Sequence, residues 1–276
     1  MKTRTLTALV LTLICIPILL LSDYVVYPIF ISILAVVAIC EIMNCLGLLK
    51  KYALVIPACV FAAAMPLITY FVGNSNVGRA AIVCFILSFL LMLYYFTLAV
   101  LARGELKFFK IAAAYVLITY VITSFTALTA LRYVPAGIFN FLLVFIGAWS
   151  CDTFAYLFGS RFGKHKLIPE ISPKKTVEGS IGGMLSAILI FVIYGVILDL
   201  VTELCVNYIT LLASGLIITF VSQIGDLIAS LVKRECGIKD YGKIFPGHGG
   251  VMDRFDSILA VSVPLLLVCL TYPPFS

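Results

Sequence analysis

Charge is what this chain lacks. Only 12% of its 276 residues are Asp, Glu, Lys or Arg and 63% are hydrophobic, whereas a water-soluble fold carries about a quarter charged residues. That excludes a soluble globular domain and leaves an integral membrane protein. No polar stretch is long enough to fold by itself, so the formal net charge of +6 does not mark a nucleic-acid-binding face. The basic residues sit in short gaps between apolar runs, as topogenic Lys and Arg do. No CxxC pair occurs among the nine cysteines, which argues against a disulfide framework and a zinc site and leaves most of them as small packing residues. The opening MKTRTLTALVLTLICIPILLLS has the charge and apolar run of a signal peptide but no convincing cleavage site, so it reads as a retained helix. Internal repeats and low-complexity tracts are absent.

What the chain does have is a series of apolar runs. A membrane-spanning helix needs about 20 apolar residues, and nine segments approach that length: Leu6 to Leu21, Val25 to Leu49, Ala53 to Val72, Ala80 to Leu101, Ile111 to Leu131, Ala136 to Phe158, Ile181 to Leu198, Cys205 to Val232 and Ser257 to Tyr272. The expected fold is an all-α polytopic bundle of about nine transmembrane helices. Residues 1–135 form an N-terminal helical part, and residues 136–276 a C-terminal catalytic part with polar loops. A cytoplasmic N-terminus puts 17 of the 19 basic residues inside and leaves only Arg79 and Arg132 outside, which fixes the expected orientation. Pro17, Pro28, Pro57 and Pro66 are expected to kink or end helices. Glu41, alone in an apolar run, reads as a carboxyl group paired within the bundle rather than as a substrate contact.

Polar chemistry gathers in the C-terminal half. Ser230 to Asp256 carries nine charged side chains, five glycines and one of the two histidines between two apolar runs. Ionisable groups in such a place usually face a site. Along the eighth apolar run, which leads into it, Ser222, Asp226, Ser230 and Lys233 follow at helical spacing and share one face, flanked by Gln223 and Arg234. Asp152 lies in the sixth apolar run, with Tyr156, Gly159 and Gly163 on one face, the glycines suiting close helix packing or ligand contact equally. The connection after Gly163 is basic and turn-rich. Ser172, Lys174, Lys175 and Thr176 there serve either as a phosphate grip at a helix start or as attraction to anionic head groups. His165 reads as a surface residue.

Asp226 and Asp253 supply the hard oxygen ligands that Mg²⁺ prefers. Lys233, Arg234, Lys239 and Arg254 neutralise phosphate oxygens, Gly247, Gly249 and Gly250 admit an anion to the backbone, and His248 donates to a phosphate or moves a proton. Together these point to phosphoryl or nucleotidyl transfer, although an ion or anion transporter uses similar groups.

The run S-x-V-K-R-x4-K-D-x-G-x2-F-P-x-H-G-G-V-x-D-R-x-D from Ser230 to Asp256 resembles the signature of the phosphatidate cytidylyltransferases, or CDP-diacylglycerol synthases, with no departure from it. S-P-K-K-T-x-E-G-S-x-G-G from Ser172 to Gly183, and Asp152 with Tyr156 and Gly159, resemble the same family. The N-terminal half resembles it only as a set of apolar helices. The resemblance implies Mg²⁺-dependent conversion of CTP and phosphatidate to CDP-diacylglycerol and pyrophosphate, in a dimeric membrane protein whose metal carboxylates match Asp226 and Asp253. Room remains for a second, monovalent cation. Expected substrate contacts also include Ser222, Ser230, Asp240, Asp256 and Asp152. The expected location is a bacterial cytoplasmic membrane with the site on its cytoplasmic side. Competing readings are a CTP-using polyprenol kinase, a transporter and a non-catalytic scaffold.

Overall fold

The structure, a computed structural model, describes residues 17, 21–73, 77–102 and 107–276. Among the described residues eight helices are long and apolar enough to cross a membrane. They are α1 (Val26–Cys45), α2 (Tyr52–Gly73), α3 (Val77–Leu101), α4 (Phe108–Ala130), α5 (Gly137–Phe162), α6 (Val177–Val201), α7 (Tyr208–Glu235) and α8 (Met252–Thr271). Apart from Pro17 and Leu21, the expected helix from Leu6 to Leu21 lies outside the described residues. The protein is an all-α polytopic membrane protein. Its one sheet among the described residues is an antiparallel hairpin of β1 (Lys166–Ile168) and β2 (Ser172–Thr176).

Most of these helices are apolar all round, as lipid-facing spans are, the exceptions being the polar stripe of α7 and the charged first turns of α8. On α3 the outward Ile82, Phe85, Ile86 and Phe89 are exposed while Ala80, Leu91 and Tyr95 are buried. Such a helix contributes few inward side chains. Of the two outcomes expected of proline, a kink or an end, α2 does not end at Pro57 or Pro66 but runs on through both. The Ser32 hydroxyl donates to the Ala63 carbonyl at 2.8 Å in the turn before Pro66.

The chain folds as two compact units. The first takes the chain to Ala130 and, in addition, Cys236–Arg254; the second takes Leu131–Glu235 and Phe255–Ser276. In the first, Tyr27, Ile39, Met43, Leu54, Tyr95 and Phe125 are fully buried. The two tyrosines satisfy their hydroxyls on carbonyls, Tyr27 on Leu128 at 3.1 Å and Tyr95 on Leu54 at 2.6 Å.

In the second unit, α5 and α6 pack through glycine. A Cβ on Gly179 would stand 2.6 Å from the Ala155 carbonyl oxygen, and one on Gly183 2.6 Å from that of Cys151. Gly159 and Gly163 face Thr176 in the same seam. Of the two readings open for these glycines, the structure shows close packing. Gly147 admits Ile218 and Phe191, bringing α7 against α5. The tail closes the unit: Phe275 is buried against Tyr194, and Cys205 and Ser276 exchange backbone hydrogen bonds.

Candidate active site

The second unit gathers carboxylates from three helices. Asp226 stands midway along α7, half-buried, and its Oδ2 is 2.6 Å from Lys175 Nζ. One turn further on, Ser230 Oγ lies 3.4 Å from Asp226 Oδ1. Asp152 of α5 is on an open face, where Ser257 Oγ donates to its Oδ2 at 3.4 Å. Asp256, in the first turns of α8, is within electrostatic reach of Asp226, Asp152 and Lys233. Asp152 likewise feels Asp226 and Lys175. The result is three carboxylates balanced by two ammonium groups.

Why the three helices meet here follows from small residues and one amide. Gly225 precedes Asp226, and a Cβ there would collide with Ala260 of α8 and approach the Asp256 carbonyl. Its absence lets α7 and α8 close on each other beside the carboxylates. Gln223, buried, donates through Nε2 to the Ser180 carbonyl at 3.1 Å and to Cys151 Sγ at 3.3 Å, while its oxygen accepts from the Ser180 hydroxyl. One side chain therefore fixes α7 to both α6 and α5. In the sequence it only flanked the stripe.

The basic connection divides its residues. Strand alternation turns Lys174 and Lys175 to opposite faces of β2, leaving Lys174 exposed and Lys175 half-buried on Asp226. Thr176 is buried as the N-cap of α6, its Oγ1 accepting from Gly179 N at 3.1 Å. Ser172 sits in the hairpin ladder opposite Ile168. Of the four residues read as a grip, Lys175 alone makes a side-chain contact with a carboxylate of the cluster. His165 remains at the surface, where Glu178 accepts from its backbone N–H and touches Nδ1 at 2.6 Å, clasping the base of the hairpin.

The glycine-rich loop belongs to the first unit. Asp253 opens α8, and its Oδ2 accepts from Tyr241 N at 2.8 Å and Gly250 N at 3.0 Å. Gly249 has φ +84°, and a Cβ on it would run into the Asp253 carboxylate, so only glycine suits the position. Arg254 donates through Nε to the His248 carbonyl at 2.7 Å, and His248 Nδ1 is buried without a hydrogen-bond partner. Arg234, Lys239, Asp240 and Arg254 are exposed. Glu41 is indeed paired, but with backbone: its two oxygens accept from Val251 N at 3.0 Å and Met252 N at 2.9 Å. These partners stand 210 and 211 residues away in the chain.

The donor set suits a hard cation. Asp226 is an anionic oxygen ligand, and Ser222, one turn before it on α7, has a fully buried Oγ without a hydrogen-bond partner. Among the described residues no three His, Cys, Asp or Glu side chains form a ready-made metal cage. Mg²⁺ does not require one, since it takes one or two carboxylates and completes its shell with water and substrate phosphate.

Comparison with known proteins adds independent findings. The cytidylyltransferase family matches residues 2–272. The phosphatidate cytidylyltransferase of Staphylococcus haemolyticus is 36% identical over 274 residues, 98% of this chain and 99% of that protein. Those of Staphylococcus epidermidis and Staphylococcus aureus are also 36% identical, over 280 and 273 residues, with the same coverage.

Proposed function

The chain belongs to the cytidylyltransferase family, and from that premise we propose that it is a phosphatidate cytidylyltransferase, converting CTP and phosphatidate to CDP-diacylglycerol and pyrophosphate. The observation that carries this reading is the Asp226–Lys175 pair at 2.6 Å. It joins Lys175, in the Ser172–Gly183 run that resembles the family, to Asp226 of the polar stripe on α7, where carboxylates from three helices gather. A metal carboxylate and a phosphate-binding cation are the two parts that phosphoryl chemistry needs side by side.

In the proposed reaction an oxygen of the phosphatidate phosphate attacks the α-phosphorus of CTP. That forms a new P–O bond, and the bond from the α-phosphorus to the bridging oxygen of the leaving pyrophosphate breaks. The attacking phosphate is already anionic, so no strong general base is required. Lys175 and Lys233 sit beside carboxylates and turn to the phosphates when these arrive; Arg234, Lys239 and Arg254, all exposed, share the remaining charge of the triphosphate. Asp226 and Asp253 would hold Mg²⁺, which supplies stabilisation of charge on the departing pyrophosphate. Ser222 and Asp152 leave donor capacity for a second, monovalent cation. The reading further places the site on the cytoplasmic side of a bacterial cytoplasmic membrane, where CTP is present, and the protein in a homodimer.

Purified protein in detergent, given labelled CTP and phosphatidate with and without Mg²⁺, tests it. The expected outcome is Mg²⁺-dependent CDP-lipid with one pyrophosphate per turnover. Release of CDP instead of pyrophosphate identifies a lipid kinase; no use of CTP, with ion flux in vesicles, identifies a transporter.

A further inference from the structure

We propose that Glu41 of α1 is a positioning residue for the transfer site, a carboxylate that fastens the start of α8 and so sets the place of Asp253. This rests on the phosphatidate cytidylyltransferase reading. Glu41 is 6% exposed in an otherwise apolar helix. A buried carboxylate is costly unless its oxygens are bonded, and here each oxygen takes one of two consecutive N–H groups, Val251 and Met252. Those donors begin a helix, where N–H groups lack intrahelical partners and the dipole favours negative charge.

The surroundings are shaped around the carboxylate. A Cβ on Gly242 or on Gly250 would overlap the Glu41 carboxylate, so both glycines are places where a side chain is excluded by this one group. The contact continues directly into the proposed chemistry. Asp253 accepts from Gly250 N, and Glu41 accepts from the next two amides in the chain, so two carboxylates together hold three successive N–H groups. Asp253 is thereby oriented by a backbone that Glu41 immobilises. Neither Gly242 nor Glu41 is exposed to act on substrate, and Glu41 works through Asp253.

The test uses the full-length protein in detergent with Glu41→Gln, Glu41→Asp, Gly242→Ala and the Glu41→Asp/Gly242→Ala pair. Glu41→Gln keeps the shape but presents an amide donor to a backbone donor. Loss of a group bonded directly to a metal ligand costs about 10-fold or more in metal affinity, and Glu41 acts one step further out, through the backbone, so half-saturating Mg²⁺ is expected to rise several-fold, up to about 10-fold. A protein that is merely less stable has fewer active molecules and an unchanged Mg²⁺ requirement. Amide hydrogen exchange is expected to quicken at Val251 and Met252 while the Lys166–Thr176 hairpin is unaffected. Gly242→Ala should impair turnover in the parent protein, and the shorter Asp in the pair should restore part of it by withdrawing the carboxylate. An unchanged Mg²⁺ requirement in both Glu41 variants, or unaltered exchange at Val251 and Met252, overturns the proposal. Parent protein that makes no CDP-lipid overturns the functional reading instead, and the exchange measurement still decides the tether.

Discussion

The two units hold their carboxylates by different means. In the second, Asp226 is met by the Lys175 ammonium, and Asp256 lies near Lys233. In the first, Glu41 and Asp253 are met by backbone N–H groups and walled by glycine. A lysine on its flexible stem can leave a carboxylate to a metal and turn to a phosphate. A backbone amide cannot. The difference teaches that exchangeable charge and fixed geometry are supplied separately, by different units, even where the carboxylates concerned, Asp253 and Asp256, stand only three residues apart in the chain.

That contrast can be broken most directly at the carboxylates. Asp226→Asn and Asp253→Asn are each expected to reduce CDP-lipid formation to background while the protein still elutes as a folded particle in detergent. Near-normal turnover in either removes that residue from the metal assignment. Next come the neighbouring lysines. Lys175→Ala is expected to lower turnover by about 100-fold, the usual scale for losing one charge-stabilising donor. Lys174→Ala, on the other face of the strand, should cost less than about 10-fold, a surface contribution. Equal losses would erase the distinction between them. In the fixed unit, Gly249→Ala forces a side chain into φ +84° against Asp253. It should destabilise that unit by about 1–3 kcal/mol, read as a lower melting temperature with accompanying loss of activity. The smallest expected effect is Tyr95→Phe, which removes the hydrogen bond to the Leu54 carbonyl. It should cost about 1 kcal/mol of stability and leave the CTP dependence of turnover as it was.

Much of this was legible in the sequence, and the failures have physical causes. Apolar runs located all eight described helices to within several residues, because lipid demands hydrophobicity on every face of a span. The same signal cannot see a polar first turn. Hydropathy began the last helix at Ser257, but it starts at Met252, with Asp253, Arg254 and Asp256 already helical. Likewise α6 starts at Val177 rather than Ile181, capped by Thr176. Helical spacing put Asp226, Ser230 and Lys233 on one face, and Asp226 and Ser230 do meet. The hairpin that separates Lys174 from Lys175 read only as a turn-rich connection, since three- and five-residue strands leave little periodicity. Glu41 was recognised as paired, yet nothing local to it indicates partners more than 200 residues on. Its one available signal was a lone acid in an apolar helix of a chain that also carries glycines at the start of another.

The glycine seam between α5 and α6 has a mechanical consequence. An interface made of backbone has no rotamers to reset, so the two helices cannot slide by trading one side-chain packing for another. They are therefore expected to move as a single stiff member. The β1–β2 hairpin that links them inherits that stiffness, and Lys175 is carried at a fixed height along α7 even though its own stem remains free to swing.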